Sequence, residues 1–225
     1  MITLHHLNNS RSQRVLWLLE ELEVPYEIRK YQRDPATMLA PPELRAVHPL
    51  GKSPVITEDG LTIAETGAII EYILARHGQG RLAPAQDSAD FWRFRHWIHH
   101  AEGSAMPPLV MTLVLGALPG KVPALLRPLT RMITQGAQKG FVAPNLERLK
   151  DYWNDALAET GWFAGPEITA ADIMMSFPLE AAASRSPFGP ARLHPSAFLA
   201  RIHARPAYQR ALERGGPYAY AQDAS

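Results

Sequence analysis

The hydrophobic pattern of this 225-residue chain changes period twice within its first 31 positions. Residues 2–6, ITLHH, carry β-branched side chains and run into the polar turn LNNS, which predicts a strand and its exit loop. From Arg11 onward Val15, Leu18, Leu19 and Leu22 recur at i, i+3, i+4 and i+7, the stripe of an amphipathic helix that Pro25 stops. YEIRKY at 26–31 then reads as a second strand. A strand, a helix and a strand in so short a span form a βαβ unit, whose strands are parallel and whose crossover is right-handed.

The next residues complete a small mixed domain. A polar connection, 32–48, includes PPELRAV, one helical turn after its prolines. SPVITED and LTIAE flank Asp59-Gly60, a hairpin signal, so these strands are antiparallel. A helix follows from Thr66, with Ile69, Ile70, Ile73 and Leu74 on one face, ending near Gly78. The expected organisation is a βαβββα domain over 1–78, a linker over 79–88 (QGRLAPAQDS) and an all-helical domain over 89–225. Its helices are expected at 89–105, 141–159, 170–183 and 196–213, with Pro107-Pro108 bending or interrupting a long helix. Thr169 and Asp172 stand at capping-box spacing ahead of Ile173.

Lys and Arg (23) balance Asp and Glu (22) for a net charge of +1, which argues against a nucleic-acid partner. Cysteine is absent, so disulfides, thiolate metal sites and a protein thiol nucleophile are excluded. MITLHHLNNSRSQ does not read as a signal peptide, and the apolar stretch 109–118 is too short to span a bilayer. A cytoplasmic protein without a membrane span is expected. His96 and His100 are spaced to chelate, but no third ligand stands at a clear interval, so no metal is expected.

VHPLGKSPVI, 47–56, sets Pro54 where an apolar strand should begin, although proline has no amide to give a ladder. HPLGKSPVI at 48–56, AETGAII at 64–70 and GPEITAADI at 165–173, in this order, resemble the cytosolic glutathione S-transferase family. SRSQRVLWLLEEL at 10–22 resembles its bacterial and fungal branch. The resemblance implies a thioredoxin-like N-terminal domain and an all-helical C-terminal one. It also implies a cis Ser53-Pro54 bond, affordable at about 0.5–1 kcal/mol for X-Pro. Val55 would then pair its backbone with the cysteinyl part of glutathione, as in β-augmentation. Thr66, opening a helix, and Glu65 beside it would receive the γ-glutamyl carboxylate and ammonium, and Lys52 the glycyl end. Pro54 as an edge protector and Thr66 as an ordinary N-cap are the plainer readings.

Conjugation requires the thiolate. Lowering a thiol pKa of about 8.5 by two units takes about 2.7 kcal/mol, and one hydrogen bond to a charged group supplies about 1.5–3. The family carries that donor between the first strand and first helix, where LNNSRS offers Ser10, Asn9 or Arg11; an N-cap is the plainer reading of Ser10. Met106, Leu109, Val110, Met111 and Leu113 are candidates for an acceptor pocket. The resemblance thus implies a glutathione transferase conjugating its co-substrate to small hydrophobic electrophiles in detoxification, without a tightly bound cofactor, as a homodimer. A glutathione-dependent peroxidase or disulfide reductase, or a non-catalytic glutathione-binding module, are the alternatives.

Overall fold

The computed structural model describes residues 1–221. Strands β1 (Ile2–Leu7), β2 (Tyr26–Tyr31), β3 (Val55–Glu58) and β4 (Leu61–Ala64) form one sheet in the order β2-β1-β3-β4. Helices α1 (Ser12–Leu22), α2 (Pro42–Val47) and α3 (Thr66–His77) complete the N-terminal unit. β1 and β2 are parallel, Ile2 opposite Tyr26 through Leu7 opposite Tyr31, while β3 runs antiparallel to both β1 and β4. The hairpin turn uses Asp59 and Gly60 at φ 49° and 82°, both in the left-handed region that the strand twist requires. The mixed sheet and the helical remainder match the thioredoxin-like plus all-α class expected from the sequence.

The remaining elements are all helical: α4 (Asp90–His100), α5 (Met106–Ala117), α6 (Arg127–Ala137), α7 (Ala143–Leu157), α8 (Ala170–Ala183), α9 (Leu193–His203) and α10 (Pro206–Gly215). A π-helical turn, Ala101–Ala105, joins α4 to α5. Of the bend or interruption expected at Pro107 and Pro108, the interruption is not seen, since helical structure continues through both. They occupy the first turn of α5, and the wider winding before them carries the run past two residues that donate no amide. Helical structure continues from Asp90 to Lys121, long and apolar enough by length and composition alone to cross a bilayer. In this fold its Phe94, Trp97, Ile98, Ala101 and Leu109 are buried in the protein core.

Two helices replace the single one expected over 196–213. Arg205 precedes Pro206 and is extended, at φ −72° and ψ 132°, because the proline ring disfavours helical geometry in the residue before it. α6 was not expected, although Leu129, Met132 and Ile133 recur at i, i+3 and i+4 behind Pro128; that apolar stripe is exposed rather than turned to the core. The capping box of α8 is present, with Thr169 accepting from the Ala171 amide at 3.3 Å and Asp172 Oδ2 accepting from the Thr169 amide at 2.7 Å.

α1 is clamped between the sheet and helices α8 and α10. Its Glu20 accepts from Tyr26, Arg210 and Arg214, and Glu21 takes a two-pronged contact from Arg205. Arg14 is the deepest of these ties, 1 % exposed, with Nη1 donating to the Met174 carbonyl at 2.9 Å. That carbonyl lies four residues before Pro178 inside α8, where a helix would otherwise supply the missing amide. A proline defect in one helix is thus satisfied by a guanidinium from another.

Candidate functional site

The start of α1 faces a groove at the sheet edge lined by Arg11, His48, Lys52, Ser53, Pro54, Ala64, Glu65, Thr66 and Glu102. The Ser53-Pro54 bond is cis. Thr66 is buried at the first position of α3, while Glu65 is exposed at φ 71°, a backbone conformation that non-glycine residues rarely keep outside functional sites. The helix N-terminus presents unpaired amides to the groove floor, the ordinary basis for holding a carboxylate. Lys52, Ser53, Pro54, Glu65 and Thr66 therefore converge. Val55 does not join them. It is fully buried in β3, paired with His5 on one side and Ala64 on the other, so the backbone edge facing the groove belongs to the residues before the strand.

Of the three donor candidates, Ser10 is the buried one. Its Oγ lies 2.7 Å from Ser12 Oγ, which in turn lies 2.8 Å from His6 Nδ1, and the Ser12 amide donates to Ser10 Oγ at 3.3 Å. On its other side Ser10 Oγ reaches Ser53 Oγ at 3.5 Å. The Ser53 hydroxyl is already committed to the His5 carbonyl at 2.8 Å, leaving its oxygen to accept. Burial, with Lys30 nearby, pulls His6 down to about 4, so the ring is neutral at the end of this chain. Asn9 is exposed, and its Oδ1 accepts from the Ala219 amide at 2.8 Å. Arg11 lines the groove with its Nε 3.4 Å from Glu102 Oε2, and Glu102 also takes a short contact from Arg14.

Beyond Ser10 and Ser53 the groove opens into a second cavity, whose walls include Met106, Leu109, Val110, Leu113, Phe177 and Tyr220. Met111 is not in this wall: it is 39 % exposed on another face of α5. Tyr220 stacks edge-on against Phe177, centroids 5.2 Å apart. The segment carrying it is held from two sides, by Asn9 and by Tyr218, whose hydroxyl donates to buried Glu180 at 2.6 Å. Glu180 also accepts from Tyr208 at 2.5 Å.

Sequence reasoning did not find His6, Ser12, Glu102 or His48. His6 and Ser12 did not stand out, because His5, Gln13, Arg14 and Glu20 on the same two elements are also polar and buried. Glu102 reaches the groove only because the π turn sets it there, and no local pattern announces that. His96 and His100 turn to aromatic partners, His96 Nε2 to Tyr152 Oη at 3.0 Å and His100 Nε2 accepting from Trp153 at 3.1 Å. Among the described residues no group of three or more His, Cys, Asp and Glu side chains is placed to hold a metal ion.

Residues 1–75 match the family model described as glutathione S-transferase, N-terminal domain. The chain is 38% identical over 182 residues to glutathione S-transferase 3 of Schizosaccharomyces pombe, spanning 81% of this chain and 74% of that protein. It is 32% identical over 196 residues to glutathione S-transferase 1 of Saccharomyces cerevisiae, 82% of each. A crystal structure of a glutathione S-transferase from Actinobacillus pleuropneumoniae superposes with a TM-score of 0.81 at 28% identity, covering 100% of this chain and 97% of that one. The chain belongs to the glutathione S-transferase family.

Proposed function

We propose that the protein conjugates glutathione to small hydrophobic electrophiles and that Ser10 stabilises the attacking thiolate. The observation that carries this reading is the position of the buried Ser10 hydroxyl between the His6–Ser12 chain and Ser53, at the junction of the groove and the apolar cavity. With the proton of neutral His6 on Nδ1, the ring donates to Ser12, Ser12 donates to Ser10, and the Ser10 proton is left to Ser53 Oγ, 3.5 Å away in the groove lining, a long contact that a sulfur anion would outcompete. The opposite tautomer reverses the chain and draws that proton away. In the first arrangement Ser10 offers one oriented hydrogen bond to a sulfur anion, worth about 1.5–3 kcal/mol, or roughly one to two units of thiol pKa.

Glutathione would lie with its γ-glutamyl end at Glu65 and Thr66 and its glycyl end near Lys52 and His48. The backbone of Lys52 and Ser53, ahead of β3, takes over the pairing role expected of Val55. Arg11, held near Glu102, adds positive charge beside the sulfur. Placing the chain in a bacterial and fungal branch rests on the stretch SRSQRVLWLLEEL alone, since relatives of similar identity come from yeasts, Escherichia coli and maize. We extend to this chain the two-fold dimer and cytoplasmic location expected of such enzymes.

Calorimetry with glutathione, followed by thiolate absorbance of the complex against pH, tests the reading. A bound thiol titrating below the free one, with Ser10→Ala raising it and Asn9→Ala leaving it low, supports it. Binding without acidification would mark a passive binder. Turnover confined to hydroperoxides or mixed disulfides would mark the alternative enzymes.

A further inference from the structure

The apolar cavity carries three guanidinium groups, those of Arg11, Arg33 and Arg185, and no Asp or Glu among its described lining residues. Arg11 also lines the glutathione groove and sits near Glu102. Arg33 and Arg185 line the cavity only, and among the described residues the hydrogen bonds their guanidinium groups make are to neutral carbonyls. Arg33 Nη1 donates to Met38 at 3.1 Å, and Arg185 Nη1 donates to Ala181 at 2.7 Å. Each group has further N–H donors to offer. Both residues are anchored by their elements. The Arg33 amide is held by Asn8 Oδ1 at 2.9 Å just past β2, and Arg185 follows the last turn of α8.

A purely hydrophobic acceptor gives these two groups nothing. It would remove water from them while supplying no hydrogen-bond acceptor, which is costly for a charged group. Burial already pulls the Arg33 guanidinium below its ordinary range. The positive lining is local, since the whole chain is nearly neutral at +1. A planar carboxylate or a sulfonate, by contrast, meets a guanidinium through paired, charge-assisted hydrogen bonds.

We propose that the preferred acceptors are amphipathic organic anions, an electrophilic apolar body seated against Met106, Leu109 and Phe177 with a carboxylate or sulfonate received by Arg33 and Arg185. The inference rests on the reading of the adjoining groove as the glutathione site and narrows its acceptor class.

The test compares chlorodinitrobenzene with chloronitrobenzoate, each rate taken relative to its uncatalysed reaction with glutathione. A preference for the benzoate of about tenfold or more is expected, from the strength of hydrogen bonds to charged groups. Arg33→Gln and Arg185→Gln, singly and together, should reduce that ratio stepwise. Equal enhancement of both acceptors by the unaltered enzyme overturns the proposal. So does an unchanged ratio in the variants, or a loss of glutathione affinity in them with the ratio kept. If glutathione binds but neither acceptor turns over, the failure lies with the proposed transferase activity. The cavity is then read by equilibrium binding of anilinonaphthalene sulfonate against neutral phenylnaphthylamine. Tighter binding of the sulfonate that Arg185→Gln abolishes supports the anion site, and equal binding of the two dyes refutes it.

Discussion

Arg14 and Pro178 are complementary across two helices: the proline withholds an amide from the Met174 carbonyl, and the arginine gives that carbonyl a hydrogen bond at 2.9 Å. The same guanidinium reaches Glu102 and, at 3.4 Å, the hydroxyl of Thr66, so one buried charge ties α1, α8, the π turn and the start of α3 together. Arg14→Met leaves the carbonyl without a partner, at an expected cost of about 1–3 kcal/mol. In a Pro178→Ala background the helix supplies its own amide, and the same substitution should cost less, by about 1 kcal/mol. A urea-denaturation double-mutant cycle measures the difference, and strict additivity would show the two residues to be independent.

Ser12→Ala removes the middle of the His6–Ser12–Ser10 chain without touching the groove. The Ser10 hydroxyl then loses the group that orients it, though not its ability to donate. The expected result is a bound-thiol pKa between those of the unaltered protein and Ser10→Ala, with kcat/KM down by roughly three- to thirtyfold, less than a whole charge-assisted hydrogen bond. A thiol pKa identical to that of the unaltered protein would remove Ser12 from the mechanism.

Acid should destabilise the fold through two buried histidines, offset in part by Asp172, whose carboxyl is pushed up by burial to about 6 and so favours the folded state as it protonates. Burial holds His6 and His100 at about 4, below the ordinary 6.5, with Lys30 acting on the first ring and His96 on the second. Between those values the unfolded chain binds protons that the folded one refuses, so the stability these rings contribute is full above about pH 6.5 and falls as pH drops toward 4. The loss is up to about 3 kcal/mol per ring. Urea midpoints at stepped pH measure it, and His100→Phe should flatten part of the slope at the cost of the Trp153 hydrogen bond.

Tyr218→Phe cuts one of the two tethers of the segment that places Tyr220 over the cavity. Glu180 keeps Tyr208 and lies 3.0 Å from His203 Nε2, so the global cost should stay near 1 kcal/mol. The local effect should be larger: faster hydrogen exchange at the Ala219 amide and a raised KM for the acceptor, with glutathione affinity kept. Unaltered exchange at Ala219 would show that Asn9 alone holds the segment.

The first helix, the hairpin and the start of α8 were legible because each of their signals is local. Val15, Leu18, Leu19 and Leu22 recur with helical period, Asp59-Gly60 supplies the turn, and Thr169 with Asp172 marks the start of α8. What could not be read depends on distant contacts. Val55 follows the proline in sequence, but whether its backbone is free depends on strands on both sides, and it is not. Met111 and Val110 are adjacent and equally apolar, and the rotation of α5, set by the π turn and two prolines, decides which faces the cavity. The partnership of Arg14 with the Met174 carbonyl left by Pro178 spans 160 positions, so no window along the chain contains both.

The pinning of Ala219 to Asn9 has a practical side. Tyr220 lines the rim of the cavity proposed to take the electrophile, whereas Met1 sits by Glu58 and Asp59 at the far hairpin. A bulky reporter attached beside Tyr220 would crowd that rim and distort acceptor kinetics. One fused ahead of Met1 would leave the entrance open.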